Sequence, residues 1–168
     1  MAQSVIPSFH ERIRDDRPAS PAFLFGTLLW PQVAQRWKAL EAKGEKPMPA
    51  LFTAMDEILD AQRGQLAIPR RYDGMMKEVW GVQPRFEQRG GQRPYRLLEH
   101  PRFRAAYDFL VLRAASGEVE QELADWWTRF QDADEETRQT MLKTDTVGKP
   151  RRRRRKSPSV ADAASATE

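Results

Sequence analysis

The residues of this chain best equipped for chemistry are arginines set among aromatics. Between positions 85 and 104, Arg85, Arg89, Arg93, Arg96, Arg102 and Arg104 lie close to Phe86, Tyr95 and Phe103, with Arg70 and Arg71 a little upstream. Guanidinium groups pair with phosphates and aromatic rings stack on bases, so this mixture suits a single-stranded nucleic acid. A second group, Arg151, Arg152, Arg153, Arg154, Arg155 and Lys156, is an uninterrupted cationic run that neutralises phosphates without choosing among them. The same residues also have a plainer reading. Arg104 and Asp108 are i, i+4 partners, Phe103 and Tyr107 fall on an apolar stripe, and arginine stems cover apolar surface, so the first cluster also fits an exposed, salt-bridged helix face. The tail run equally fits a solubilising segment.

Catalytic constellations are harder to find. His10 and His100 are not at ligand spacing, there is no cysteine, and the sequence has no phosphate-cradling Gly-x-x-x-x-Gly-Lys loop, Gly-x-Ser-x-Gly elbow or Gly-rich dinucleotide turn. Asp132-Ala133-Asp134 is the one Asp-x-Asp, a pattern that can hold a divalent metal for phosphoryl transfer. It falls in an acidic connection and not on a strand, so no catalytic or metal-binding residue is assigned and no cofactor is expected in this chain.

These groups must be positioned by helices. The periodicity predicts an all-α protein of about six helices, with proline marking the starts. Ser20 before Pro21 reads as an N-cap; Pro31 restarts a helix that carries Val33, Trp37 and Leu40 and ends at Gly44. A third helix follows Pro49 with Leu51, Met55, Ile58 and Leu59 on its stripe. A fourth starts at Pro69, buries Tyr72, Met76, Val79 and Trp80, and is expected to kink or break at Gly81 and Pro84; Gly90 and Gly91 then form a flexible connection. The fifth opens at Pro101 and carries Phe103, Ala106, Tyr107, Leu110, Val111 and Ala114; the sixth carries Val119, Leu123, Trp126, Trp127 and Phe130. Separated only by Ser116-Gly117, these two should form an αα-hairpin.

The charge is unevenly distributed. Residues 1–142 hold 20 Lys/Arg against 21 Asp/Glu, and residues 143–168 hold 8 against 3. The expected organisation is therefore a helical region over 1–142 and a disordered, arginine-rich tail over 143–168, which has almost nothing to bury. Within the body, residues 63–113 carry 11 cations against 5 acids, while Glu118 to Glu136 carry 8 acids against one arginine. A basic face and an acidic face are expected. The N-terminus lacks an apolar signal core and no apolar run approaches the 18–20 residues that span a bilayer, so no membrane partner and a cytoplasmic location are expected.

Three blocks in order, "PAFLFGTLLW" (21–30), "LAIPRRY" (66–72) and "RLLEHPRFRAAYDFLVLRA" (96–114), followed by "LADWWTRFQ" and the arginine-rich terminus, closely resemble the C-terminal part of the bacterial poly(A) polymerase family, relatives of the CCA-adding enzymes. The resemblance runs from about Pro21 to Gln131. It implies enzymes that add adenosines to RNA 3′ ends, with a catalytic head, a nucleotide-holding neck and all-helical body and leg domains that engage RNA. In that family the metal-binding carboxylates follow a Gly-Ser pair on a strand. This sequence has no Gly-Ser pair, so no catalytic residue carries over, and ATP and magnesium belong to a head that is missing here. The resemblance thus implies a body and leg module beginning at its own Met1, whether a truncated product, a piece of a longer chain or a stand-alone remnant. Its implied partner is RNA, single-stranded 3′ ends in particular, held by arginines of the 70–104 cluster and the tail. The rival expectation is a protein-interaction module whose acidic stretch docks a basic partner.

Overall fold

A computed structural model describes residues 20–146, with side chains as far as Leu142. The described residues form seven α-helices and no strand: α1 Pro21–Ala42, α2 Pro47–Leu66, α3 Asp73–Val82, α4 Arg93–Leu98, α5 Phe103–Ala115, α6 Gln121–Asp132 and α7 Glu135–Thr146. Short 3-10 helices at Arg70–Tyr72 and Gln83–Glu87 flank α3. The all-α expectation holds, and among these residues no helix is long and apolar enough to cross a membrane. His10, with the rest of residues 1–19 of the expected helical region, and the run from Arg151 to Lys156, with the rest of residues 147–168, lie outside the described residues; α7 runs four residues into the expected 143–168 tail.

Several helix boundaries follow directly from local chemistry. The Ser20 side chain accepts the Phe23 N–H at 3.2 Å, satisfying one of the unpaired donors of the first turn of α1. At the other end Gly44 has φ +93°, its N–H reaches the Glu41 carbonyl at 2.9 Å and the Glu45 N–H reaches that of Leu40 at 3.2 Å, a Schellman closure that needs glycine at the left-handed position. Gly117 closes α5 in the same way, with φ +75° and bonds from Gly117 to Ala114 and from Glu118 to Arg113. The expected turn between α5 and α6 is therefore present. The contacts run in opposite senses along the two helices, Arg113 meeting Glu118 while Tyr107 meets Thr128, which makes them an antiparallel hairpin.

Other boundaries differ from expectation. Pro31 does not restart a helix: α1 runs straight through it. Pro31 is exposed, so its lost hydrogen bond lies on the solvent side, and the apolar stripe of Phe23, Leu29, Trp30, Val33, Ala34 and Leu40 stays in register on the buried side across it. Helix α2 starts at Pro47, two residues early, because both Pro47 and Pro49 fit a first turn whose N–H groups have no intrahelical acceptor. Gly81 sits within α3, and the chain tightens into a 3-10 helix at Gln83, ahead of Pro84. Helices α4 and α7 were not expected. Pro94 stands in the first turn of α4; Asp134 caps α7, its Oδ1 accepting the Thr137 N–H at 2.8 Å, with Glu135 and Glu136 at the positive end of the helix.

Two apolar clusters hold these elements. The first gathers Leu29, Trp30 and Val33 of α1, Leu51, Met55 and Leu59 of α2, and Met76, Val79 and Trp80 of α3. The second gathers Val82, Phe86 and Leu97 with Phe103, Tyr107 and Leu110 of α5, Trp126, Trp127 and Phe130 of α6, and Leu142 of α7. Helix α5 serves both, since Phe109 packs edge-on to Trp30 at 5.5 Å while Phe103 lies 5.9 Å from Trp127. The two fully buried indoles find acceptors: Trp80 Nε1 donates to the Gly26 carbonyl at 3.1 Å and Trp127 Nε1 to that of Phe86 at 2.9 Å.

Candidate nucleic-acid interface

A phosphate needs a guanidinium that is exposed and not already neutralised, and the structure separates the arginines of the 70–104 cluster on that criterion. Arg102 pairs with Glu78 of α3. Arg89 holds the Glu122 carboxylate of α6 at 2.8 and 2.9 Å and lies over the Trp126 ring at 5.5 Å. Arg104 approaches the buried Asp108 carboxylate at 3.3 Å and lies 5.7 Å from the Tyr107 ring centre. These three bind the fold to itself.

The others stand apart. Arg70, Arg93 and Arg96 are exposed, Arg85 is half-buried, and among the described residues none of the four has a carboxylate partner. Arg71 also lacks one; it lies 5.0 Å over the Tyr72 ring, and its Nη2 donates to the Tyr72 hydroxyl at 3.1 Å. Their places follow from the turns around α3. The 3-10 turn before that helix carries Arg70 and Arg71, and the 3-10 turn after it carries Arg85. Helix α4, with Arg93 and Arg96, packs back on that second turn. The cluster is thus two groups separated by α3, one pair at its start and three arginines beyond its end.

The aromatic half of the sequence reading does not survive. Phe86 is fully buried and Phe103 and Tyr107 nearly so, all in the second core, where no base can reach them; burial of Phe103 and Tyr107 is what the apolar stripe implied. Tyr95 is half-buried, packs on Phe130 at 5.5 Å and donates its hydroxyl to Glu135 at 2.9 Å. Partial burial, reinforced by that carboxylate, holds the Tyr95 phenol above its ordinary pKa. The exposed aromatic among the described residues is Phe52 on α2, at 48%. Its signal in the sequence was its position just off the Leu51, Met55, Leu59 stripe.

The two charge blocks of the body do not form separate faces. Glu118 accepts the Trp30 indole N–H at 2.9 Å and pairs with Arg113 at 2.9 Å, while Glu122 takes Arg89, so part of the acidic stretch is folded against the arginines preceding it. Arg113, which the cluster did not include, also lies 4.8 Å over the Trp30 ring and donates to Gln83 Oε1 at 3.1 Å. Gln83, buried between the cores, in turn donates to the carbonyls of Val79 and Ala106. Of the acidic pair considered for metal, Asp132 ends α6 and Asp134 is occupied as the α7 cap. His100 Nδ1 accepts the Arg102 N–H at 3.1 Å, which makes it a turn residue at the start of α5.

Comparison with known proteins gives a consistent answer. Residues 43–159 match the family model described as the polymerase A arginine-rich C-terminus. The chain is 38% identical over 161 residues to Poly(A) polymerase I of Escherichia coli O6:H1, covering 92% of this chain and 34% of that protein. Poly(A) polymerase I of Salmonella typhi is 38% identical over 154 residues, covering 89% and 33%, and that of Haemophilus influenzae 33% identical over 144, covering 84% and 32%. The chain spans about a third of the length of these relatives.

Proposed function

Since the chain belongs to the polymerase A arginine-rich C-terminus family, we propose that it is the RNA-holding portion of a poly(A) polymerase, tethering single-stranded 3′ ends for a catalytic head that lies outside its sequence. The observation that carries this reading is the set of unneutralised guanidinium groups, Arg70, Arg85, Arg93 and Arg96, in a cluster whose Arg89, Arg102 and Arg104 are paired with carboxylates. Each is available to displace counterions from a phosphate. The cationic run from Arg151 to Lys156 adds a second, sequence-indifferent contact in the same proposal. Adenylate transfer, with its ATP and magnesium, belongs to the head.

The rival reading, a protein-docking module using the acidic stretch, is weakened because Glu118, Glu122 and Glu135 are engaged within the fold. Titration of the full chain into a fluorescently labelled single-stranded oligoribonucleotide at 50 and 200 mM salt tests the proposal. Saturable binding that weakens steeply with salt is expected. No binding at low salt, or binding indifferent to salt, would overturn it.

A further inference from the structure

We infer that Phe52 is a stacking platform for an unpaired base of the strand whose phosphates lie on Arg85, Arg93 and Arg96, an assignment that rests on the RNA reading above. The placement follows from how α2 meets α3. Asp56 pairs with Lys77, and the Phe52 ring lies 3.8 Å from where a Cβ on Gly81 would stand, so the two helices run antiparallel with those turns opposed. Arg85 follows Gly81 by four residues, in the 3-10 turn that continues α3, so Phe52 lies at the end of α3 that leads to Arg85. Packing of α4 on the turn that carries Arg85 then brings Arg93 and Arg96 to the same end of the molecule.

Phe52 differs from the other exposed apolar residues in its chemistry. Leu24, Leu28 and Leu66 are aliphatic and offer no π-face, whereas Phe52 presents a ring to solvent at the end of α3 that leads to Arg85, which no carboxylate neutralises. An exposed aromatic ring at the same end of the molecule as unneutralised guanidinium groups suits a nucleic-acid strand, which carries planar bases and anionic phosphates along one backbone. The exposed ring and the unneutralised charge thus acquire one explanation.

The test uses the full chain and two labelled probes, an oligoadenylate and the same strand carrying abasic sites, titrated against the parent, F52A, F52W, L28A and the R93Q/R96Q double variant. F52A is expected to lose about tenfold in affinity for the oligoadenylate, the size of one base–aromatic stack, with an unchanged salt slope and no loss on the abasic strand. F52W should retain binding, and L28A should behave as the parent. If F52A binds both probes like the parent while R93Q/R96Q weakens on both, the stacking role is wrong and the RNA reading stands. If the parent binds neither probe, the RNA reading falls and takes the inference with it. If F52A instead changes the sedimenting mass of the protein with no effect on RNA, Phe52 belongs to a protein interface and the inference is overturned.

Discussion

Replacing Arg70, Arg85, Arg93 and Arg96 by glutamine removes four cations that no carboxylate holds, whereas replacing Arg89, Arg102 and Arg104 removes three already neutralised by Glu122, Glu78 and Asp108. If the free set contacts phosphate, each lost contact lowers the slope of log K against log salt by about 0.7, so the four together lower it by up to about 3. Between 50 and 200 mM salt this amounts to about a 50-fold smaller loss of affinity than the parent shows. The paired set is expected to leave the slope unchanged and to lower stability instead. Removing Arg104 leaves the nearly buried Asp108 carboxylate short of a partner, at a cost of about 2 kcal/mol once the partial exposure of Arg104 is allowed for. Both sets are read by fluorescence anisotropy at five salt concentrations and by thermal unfolding followed at 222 nm. Refutation is specific: an unchanged slope for the free set, or equal flattening by the two sets, means that carboxylate pairing does not decide which arginines meet RNA.

Further outcomes follow from individual contacts. Given ATP, magnesium and an RNA primer, the chain by itself is expected to leave the primer unextended, because Asp132 and Asp134 end one helix and cap the next; metal-dependent lengthening abolished by D132A would contradict this. The side-chain hydrogen bond with Thr137 holds the Asp134 carboxyl below its ordinary pKa, so its contribution is full above the unfolded-state value and is lost as pH falls through the lowered one. D134A should therefore lower the thermal midpoint at neutral pH and abolish that acid-side decline, and a midpoint unmoved at pH 7 would show that α7 does not depend on its cap. E118A removes the acceptor of the Trp30 indole and the partner of Arg113, for an expected loss of about 1–2 kcal/mol and a fall of about 5 °C in Tm. Melting within 1 °C of the parent would argue against that contact.

What could be read from the sequence was local. Ser20, Gly44 and Gly117 announce helix ends because their signals lie within a few residues, and the stripe from Phe103 to Ala114 announces which face of α5 is buried. Pro31 misled because its effect depends on which side of the helix faces solvent, a tertiary fact. Helix α4 is a turn and a half, too short for its apolar residues to repeat, and α7 is mostly polar, so neither has a periodic signal; the Asp134 cap and the two glutamates after it were the available clue to α7. The division of the arginines was mostly illegible for a related reason. Arg104 and Asp108 are helical neighbours and could be paired on paper, but Arg102 finds Glu78 across 24 positions and Arg89 finds Glu122 across 33. Only the packing of α3, α5 and α6 brings those charges together.

That packing also fixes what the proposed RNA surface can be. Helix α3 contributes Met76, Val79 and Trp80 to one core and Val82 to the other, so it is gripped along its length, and its ten residues separate the Arg70 turn from the Arg85 turn by roughly 15 Å of rigid helix. The polar knot of Trp30, Glu118, Arg113 and Gln83 lies where the two cores meet and ties α1, the α5–α6 turn and the end of α3 into one unit. Hydrogen bonds of this kind, partly buried here, are directional in a way that apolar contacts are not, so they favour one relative orientation of the cores among those the apolar surfaces would permit. A strand touching both ends of α3 therefore meets arginines at a preset spacing. It does not have to order them on binding, and the entropy of holding the site together has already been spent in folding.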